Sequence, residues 1–212
     1  MNSYLIFTIG LIAQILFSAR MLVQWILSER AKKVLSPTLF WQLSLMASLI
    51  LFTYGWLRND FSIILGQLFA YYVYIWNLKV KGSWIKLPKV LRIIFFTLPL
   101  IAVGWFALNL QDTITHLFKQ ENIPVWLIIF GVIGQCTFTL RFLYQWYYCR
   151  KDRESVLPLT FWIISLTGAL LILIYAIIRK DPVLILGQAT GFVVYTRNIM
   201  IELKSRRSTT QE

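Results

Sequence analysis

The chain has 212 residues, 58% of them hydrophobic, 16% aromatic and only 14% charged, with a mean hydropathy of +0.66. Soluble domains carry about 25% charged residues, so this composition excludes a water-soluble globule and makes lipid the solvent for much of the surface. The formal net charge is +12, yet the basic residues fall in short clusters between apolar runs, which suits loops on one side of a membrane and not a nucleic-acid-binding face.

A membrane-spanning helix takes about 17–25 largely apolar residues, and seven stretches qualify: 3–27, 37–57, 61–79, 90–110, 123–147, 158–178 and 182–201. The first stretch is long enough to span and has no basic residues ahead of it, so a cleavable signal peptide is not expected. The breakers between stretches are charged: 28–33, Arg58-Asn59-Asp60, Lys79 to Lys89, Gln111 to Asn122, Arg150 to Glu154, and Arg179 to Pro182. The segments after the first, third and fifth stretches share a side with the C-terminal tail. They hold fourteen Lys and Arg residues, against Arg58, Lys119, Arg179 and Lys180 on the other side. That bias predicts an outside N-terminus and a cytoplasmic C-terminus. Cys136 and Cys149 lie in or at the end of one apolar run, so no structural disulfide is expected.

Shifted by 121 residues, the chain aligns with itself without a gap from Gly10 to about Leu78. Gln14, Phe17, Arg20, Gln24 and Trp25 meet Gln135, Phe138, Arg141, Gln145 and Trp146; Pro37, Trp41, Ser44 and Tyr54 meet Pro158, Trp162, Ser165 and Tyr175. Arg58, Asp60, Gly66, Gln67, Tyr74 and Asn77 meet Arg179, Asp181, Gly187, Gln188, Tyr195 and Asn198. Apolar helices resemble one another by composition alone, but matched Gln, Arg, Trp, Asp and Asn do not arise that way. The pattern predicts a three-helix repeat over 1–80, a linker with one helix over 81–121, a second repeat over 122–203 and a basic tail over 204–212. The unmatched run 90–110 reverses the chain direction, so the two repeats lie parallel. The expected fold is an all-α integral membrane protein of seven spans in a 3+1+3 arrangement.

The run Gln135, Phe138, Arg141-Phe142-Leu143, Gln145-Trp146, followed by Pro158, Phe161-Trp162, Ser165 and Gly168, is distinctive. It continues through Tyr175-Ala176, Arg179, Asp181-Pro182-Val183, Gly187-Gln188, Tyr195 and Arg197-Asn198. This pattern resembles the lipid A biosynthesis N-terminal domain, a small membrane domain found alone or fused ahead of lipid-A-disaccharide synthase. The first repeat departs from it at Phe61 and Trp76, where the second has Pro182 and Arg197. The 3+1+3 order also looks like the SWEET and PQ-loop transporters, although neither 3–27 nor 123–147 after Pro124 carries the internal proline of their hinge. The resemblance implies a bacterial inner-membrane protein of lipid A or related lipid-linked sugar metabolism. It does not imply catalysis, since the glycosyltransferase part is not among these residues.

Arg20 and Arg141 carry the chemistry, because an ionisable side chain inside a span points to function with a nearby partner. Arg20, Gln24 and Gln14 share one face of their helix, and Arg141, Gln145 and Gln135 repeat it; Gln67, Tyr74 and Asn77 share another, repeated by Gln188, Tyr195 and Asn198. Two clusters of Arg, Gln, Tyr and Asn are expected to converge between the repeats. With Asp60, Asp181 and Glu202 only at helix ends, the arginines are predicted to bind an anion, a phosphate or pyrophosphate headgroup with attached sugar. The competing reading has the two arginines snorkelling to the interface or making structural hydrogen bonds, and Arg197 is also expected to snorkel. Asp60 and Asp181 read as helix N-caps, Gly66 to Ala70 and Gly187 to Gly191 as small-residue packing, and Trp25, Trp41, Trp146 and Trp162 as an interfacial belt.

His116 is the only histidine and sits in an external loop, so neither a metal site nor a catalytic triad nor a cofactor is expected. The expected partners are membrane lipid and a phosphorylated or polyprenyl-linked sugar, which the protein binds and translocates. Two alternatives stand beside that reading: a non-catalytic anchor for a cytoplasmic glycosyltransferase such as lipid-A-disaccharide synthase, and a SWEET-like carrier of a small solute.

Overall fold

The computed structural model describes residues 3–58, 61–108 and 124–209; the expected cap Asp60 and the loop around His116 lie outside them. The described residues form seven α-helices and no strand: α1 (Ser3–Ala31), α2 (Thr38–Leu57), α3 (Phe61–Val80), α4 (Lys89–Leu108), α5 (Val125–Cys149), α6 (Leu159–Ile178) and α7 (Pro182–Thr209). Four helices are long and apolar enough to cross a membrane: α1 from Tyr4, α2, α5 and α6.

Local chemistry explains where the helices start and stop. Pro37, Pro124 and Pro158 precede α2, α5 and α6 with extended backbone angles, and their rings hold the chain out of the helix until the next residue. Asp181 caps α7 as expected, its Oδ1 accepting the backbone N–H of Val183 at 3.0 Å and Leu184 at 3.2 Å. Pro182 occupies the first helical position, where its missing N–H costs nothing. After α1 and α5 the backbone turns through Lys32 and Arg153 at φ 54° and 52°. These two are a repeat pair, so both copies leave the first helix by the same left-handed step.

The repeats are interlocked. α1 packs on α2 and on α7, while α5 packs on α6 and on α3. Each copy's first helix therefore lies against the third helix of the other copy. Between them sits an aromatic core in which Trp41 and Trp162 are both fully buried, with ring centroids 6.1 Å from Tyr74 and Tyr195 respectively. This corrects the interfacial reading of those two tryptophans. Trp41 reaches across the repeats to Phe142 at 6.4 Å and fills the seam instead of marking a membrane boundary. Trp146 does face outward, among exposed apolar side chains such as Ile133 and Leu140 that form a lipid-type surface.

α4 has no counterpart in either repeat and is held by side chains more than by close backbone packing. Pro99 interrupts it, which removes the N–H that would have bonded the carbonyl of Phe95. The buried Tyr71 on α3 donates its hydroxyl to that carbonyl oxygen at 2.8 Å. One helix thus supplies the hydrogen bond that the other lost, where no solvent can.

That pairing makes a double-mutant prediction. Tyr71→Phe should destabilise the protein by about 1–3 kcal/mol, the cost of orphaning a buried carbonyl. In a Pro99→Ala background, where residue 99 regains its N–H, the same change should cost much less. Denaturation of the four variants in detergent measures the coupling.

Candidate functional site

Eight of the twelve expected site residues line one cavity between the copies: Gln14, Arg20, Gln67 and Tyr74 from the first, Gln135, Arg141, Gln188 and Tyr195 from the second. Gly66 and Gly187 let the glutamines in, since a Cβ at either would overlap the side chain of Gln135 or Gln14. The small-residue spacing therefore serves helix approach and cavity lining together. Sequence reasoning missed Ser18 and Thr139, which also line it and stand at positions 121 apart.

Arg20 and Arg141 are 3% and 1% exposed, so neither snorkels out of the bundle. Each guanidinium lies against rings: Arg20 is 4.4 Å from the Phe17 centroid and Arg141 3.3 Å from that of Phe138. Both also reach Phe142, at 5.9 and 4.5 Å, which keeps the two cations near each other across one ring. Their hydrogen bonds differ. Arg20 Nη1 donates to Ser44 Oγ at 2.5 Å, whereas Arg141 Nη1 donates to Tyr195 Oη at 3.2 Å. Ser165, the repeat mate of Ser44, donates to the Phe161 carbonyl and, among the described residues, bonds no arginine.

Among the described residues neither arginine has a carboxylate partner. A guanidinium has five N–H donors, and the Nε of each stays unpartnered, as do the buried Oε1 atoms of Gln67 and Gln188. Burying an ion costs several kcal/mol, of which ring contacts return about 0.5–2. What remains is a pocket of desolvated positive charge with donors to spare.

Gln24, Gln145, Asn77 and Asn198 do not line the cavity. They form two reciprocal amide pairs across the repeats. Gln24 and Asn198 exchange hydrogen bonds of 2.8 and 3.0 Å, and Gln145 and Asn77 exchange bonds of 2.9 and 3.1 Å. Each glutamine also donates to a loop carbonyl, Leu35 at 3.2 Å or Val156 at 3.1 Å. The clasps sit one turn beyond the arginines, toward the basic ends of the helices. The opposite end is bracketed by a group that sequence reasoning treated only as a cap. Asp181, 1% exposed, accepts Arg58 Nη1 at 2.5 Å, and Arg58 also bonds Tyr54 Oη at 2.7 Å. The signal was present as Tyr54 and Arg58, a duplicated i, i+4 pair. Arg197, expected to snorkel, pairs at the surface with Glu29 at 2.5 Å.

Paired helical units closed over a shared cationic cavity, with an apolar outer surface, define an all-α protein of membrane type. The particular family follows from comparison: the Lipid A Biosynthesis N-terminal domain matches residues 9–79 and 130–200, and the chain belongs to that family. The two matches are themselves offset by 121 residues. The chain is 31% identical to a lipid-A-disaccharide synthase of Chlamydia pneumoniae over 97% of its own length and 35% of that protein. It is 32% identical to the Chlamydia abortus synthase, over 96% of this chain and 34% of the relative. It thus spans about a third of the length of the curated relatives it matches. No solved structure matches.

The clasp geometry yields a second prediction. Asn198→Leu should leave the Gln24 amide buried and half-bonded, at a cost of about 1–3 kcal/mol. Replacing both partners, Gln24→Leu with Asn198→Leu, should cost less than the sum of the single changes. A thermal-denaturation cycle in detergent reads the difference.

Proposed function

We propose that the protein is a seven-span membrane protein in the 3+1+3 arrangement of SWEET-like carriers, with two parallel three-helix repeats over 1–80 and 122–203. In this reading it lies in the bacterial inner membrane with its N-terminus outside and its basic C-terminal tail in the cytoplasm. Within lipid A biosynthesis it binds a phosphorylated or lipid-linked sugar, and a cavity with polar pairs beyond both of its ends suits translocation of that headgroup. The observation that carries the reading is the pair of desolvated guanidiniums, without carboxylates, on one cavity.

The cavity's size refines it. The space open to the centres of water molecules is about 60 Å³, and one water takes about 10–15 Å³ of such space. That accommodates a phosphate group and not a sugar ring beside it. Phosphate would sit between Arg20 and Arg141, with Tyr195, Gln67 and Gln188 turned to its oxygens and hydroxyls, while an attached sugar requires one bracket to open. A neutral solute would gain nothing from two buried cations. The alternative of a membrane anchor for a glycosyltransferase draws on the relatives, which are lipid-A-disaccharide synthases about three times as long.

Binding of a labelled polyprenyl-phosphate sugar to purified protein tests the site. Arg20→Gln with Arg141→Gln should lower affinity at least about tenfold, since each charge-assisted hydrogen bond is worth about 1.5–3 kcal/mol. Removing two uncompensated buried charges should leave thermal stability unchanged or raised. Full binding by the folded double variant would refute the anion site, and a large fall in stability would assign the arginines to structure. Reconstitution into vesicles then separates carrier from anchor: no transbilayer movement beside firm co-purification with the synthase would favour the anchor.

A further inference from the structure

α4 borders a second hollow beside the α3–α5 contact, apart from the arginine cavity. Tyr72 and Trp76 on α3, Phe96 on α4, and Leu143 and Trp146 on α5 line an apolar groove of about 480 Å³. Phe96 also borders a neighbouring hollow of about 320 Å³ that Lys89 and Arg92 line. Lys79 lines the groove itself, its Nζ 5.6 Å from the Phe96 ring centroid.

This groove is chemically two-ended. Its length is aromatic and aliphatic, Lys79 lines it, and Lys89 and Arg92 line the hollow that shares Phe96 with it; none of the three forms an ion pair among the described residues. The Nε of Arg92 is buried and has no hydrogen-bond partner. The groove shares no lining residue with the arginine cavity. Its walls on α3 and α5 belong to the repeats, and Phe96 of α4, a helix without a repeat equivalent, completes it.

We propose that the α3–α4–α5 groove is a specific site for one anionic phospholipid of the bilayer. Its phosphate is held by Lys79, Lys89 and Arg92, and an acyl chain lies along Trp76, Leu143 and Trp146. Charge complementarity selects the anionic headgroup, because three unpaired cations at the mouth of an apolar channel fit a phosphate lipid and are indifferent to a neutral one. The lipid cements α4 to α3 and α5, where direct helix packing is slight. The inference does not rest on the arginine cavity.

Native mass spectrometry of the full chain after exchange into mixed phosphatidylglycerol and phosphatidylcholine tests it. Wild-type protein should retain one phosphatidylglycerol preferentially. Lys79→Gln, Lys89→Gln and Arg92→Gln together should reduce retention at least about tenfold, the scale of a few surface cations acting on one phosphate. Arg20→Gln with Arg141→Gln, and Lys204→Gln with Arg207→Gln in the tail, should leave it unchanged. Equal retention by the triple variant, or equal loss in the tail variant, overturns the proposal. Should the triple variant fail to fold, wild-type tryptophan fluorescence decides. Acyl-brominated phosphatidylglycerol should quench more than acyl-brominated phosphatidylcholine, and Trp76→Phe with Trp146→Phe should shrink that difference. Equal quenching by the two lipids refutes the site.

Discussion

An amide side chain buried among apolar helices has two donors and an acceptor to satisfy, with no water to help. The arrangement answers this by pairing Gln24 with Asn198 and Gln145 with Asn77, each amide meeting the other's donor and acceptor. Because every pair joins the first helix of one copy to the third of the other, the copies cannot separate or slide without breaking two pairs at once. The exchanged packing of α1 on α7 and α5 on α3 follows from it, as does the position of the cavity one turn away. Ser36 and Ser155, 3.1 Å apart, extend the network into the loops, and Ser155 Oγ donates to Asn77 Oδ1 at 2.6 Å.

Between the amide clasps and the Arg58–Asp181 pair, the arginines are buried in a region where charge is expensive. The protein does not neutralise them with acid. It surrounds them with Phe17, Phe138 and Phe142, whose ring faces attract cations without competing for the space in front of the guanidinium donors. A carboxylate would have cancelled the charge and occupied the donors; rings stabilise the cation and leave its N–H groups available. The different hydrogen bonds of Arg20 and Arg141, to Ser44 and to Tyr195, also mean that the cavity is not two-fold symmetric although its lining is duplicated.

Much of this was legible in the sequence, and the limit has a physical form. The 121-residue offset predicted which polar residues would be equivalent, and the geometry honours it down to paired loop carbonyls at Leu35 and Val156. A helical face, however, does not say what lies opposite. Arg20 and Gln24 share a face one turn apart, yet one meets the cavity and the other meets Asn198. Only the exchange of helices between copies separates those fates, and no local pattern encodes it. The same gap hid Trp41 and Trp162, whose position beside basic loops read as interfacial until the seam enclosed them. It also hid Asp181 as the partner of Arg58, a contact between residues far apart in the chain and 2.5 Å apart in space.

α4 shows why a duplicated unit does not yield a symmetric protein. α4 stands between the two copies in the chain and bonds to α3, with no equivalent of its own in the repeat. Pro99 weakens it as an independent element by freeing the Phe95 carbonyl, and Tyr71 then binds it to α3 through that same carbonyl. Position 192, the repeat equivalent of Tyr71, is Phe, which has no hydroxyl to donate and is exposed. The tyrosine is present on the copy that has a carbonyl to receive it, so the difference between the copies is a response to α4. A divergence that first looks like decay of the repeat is the chemistry that α4 demands.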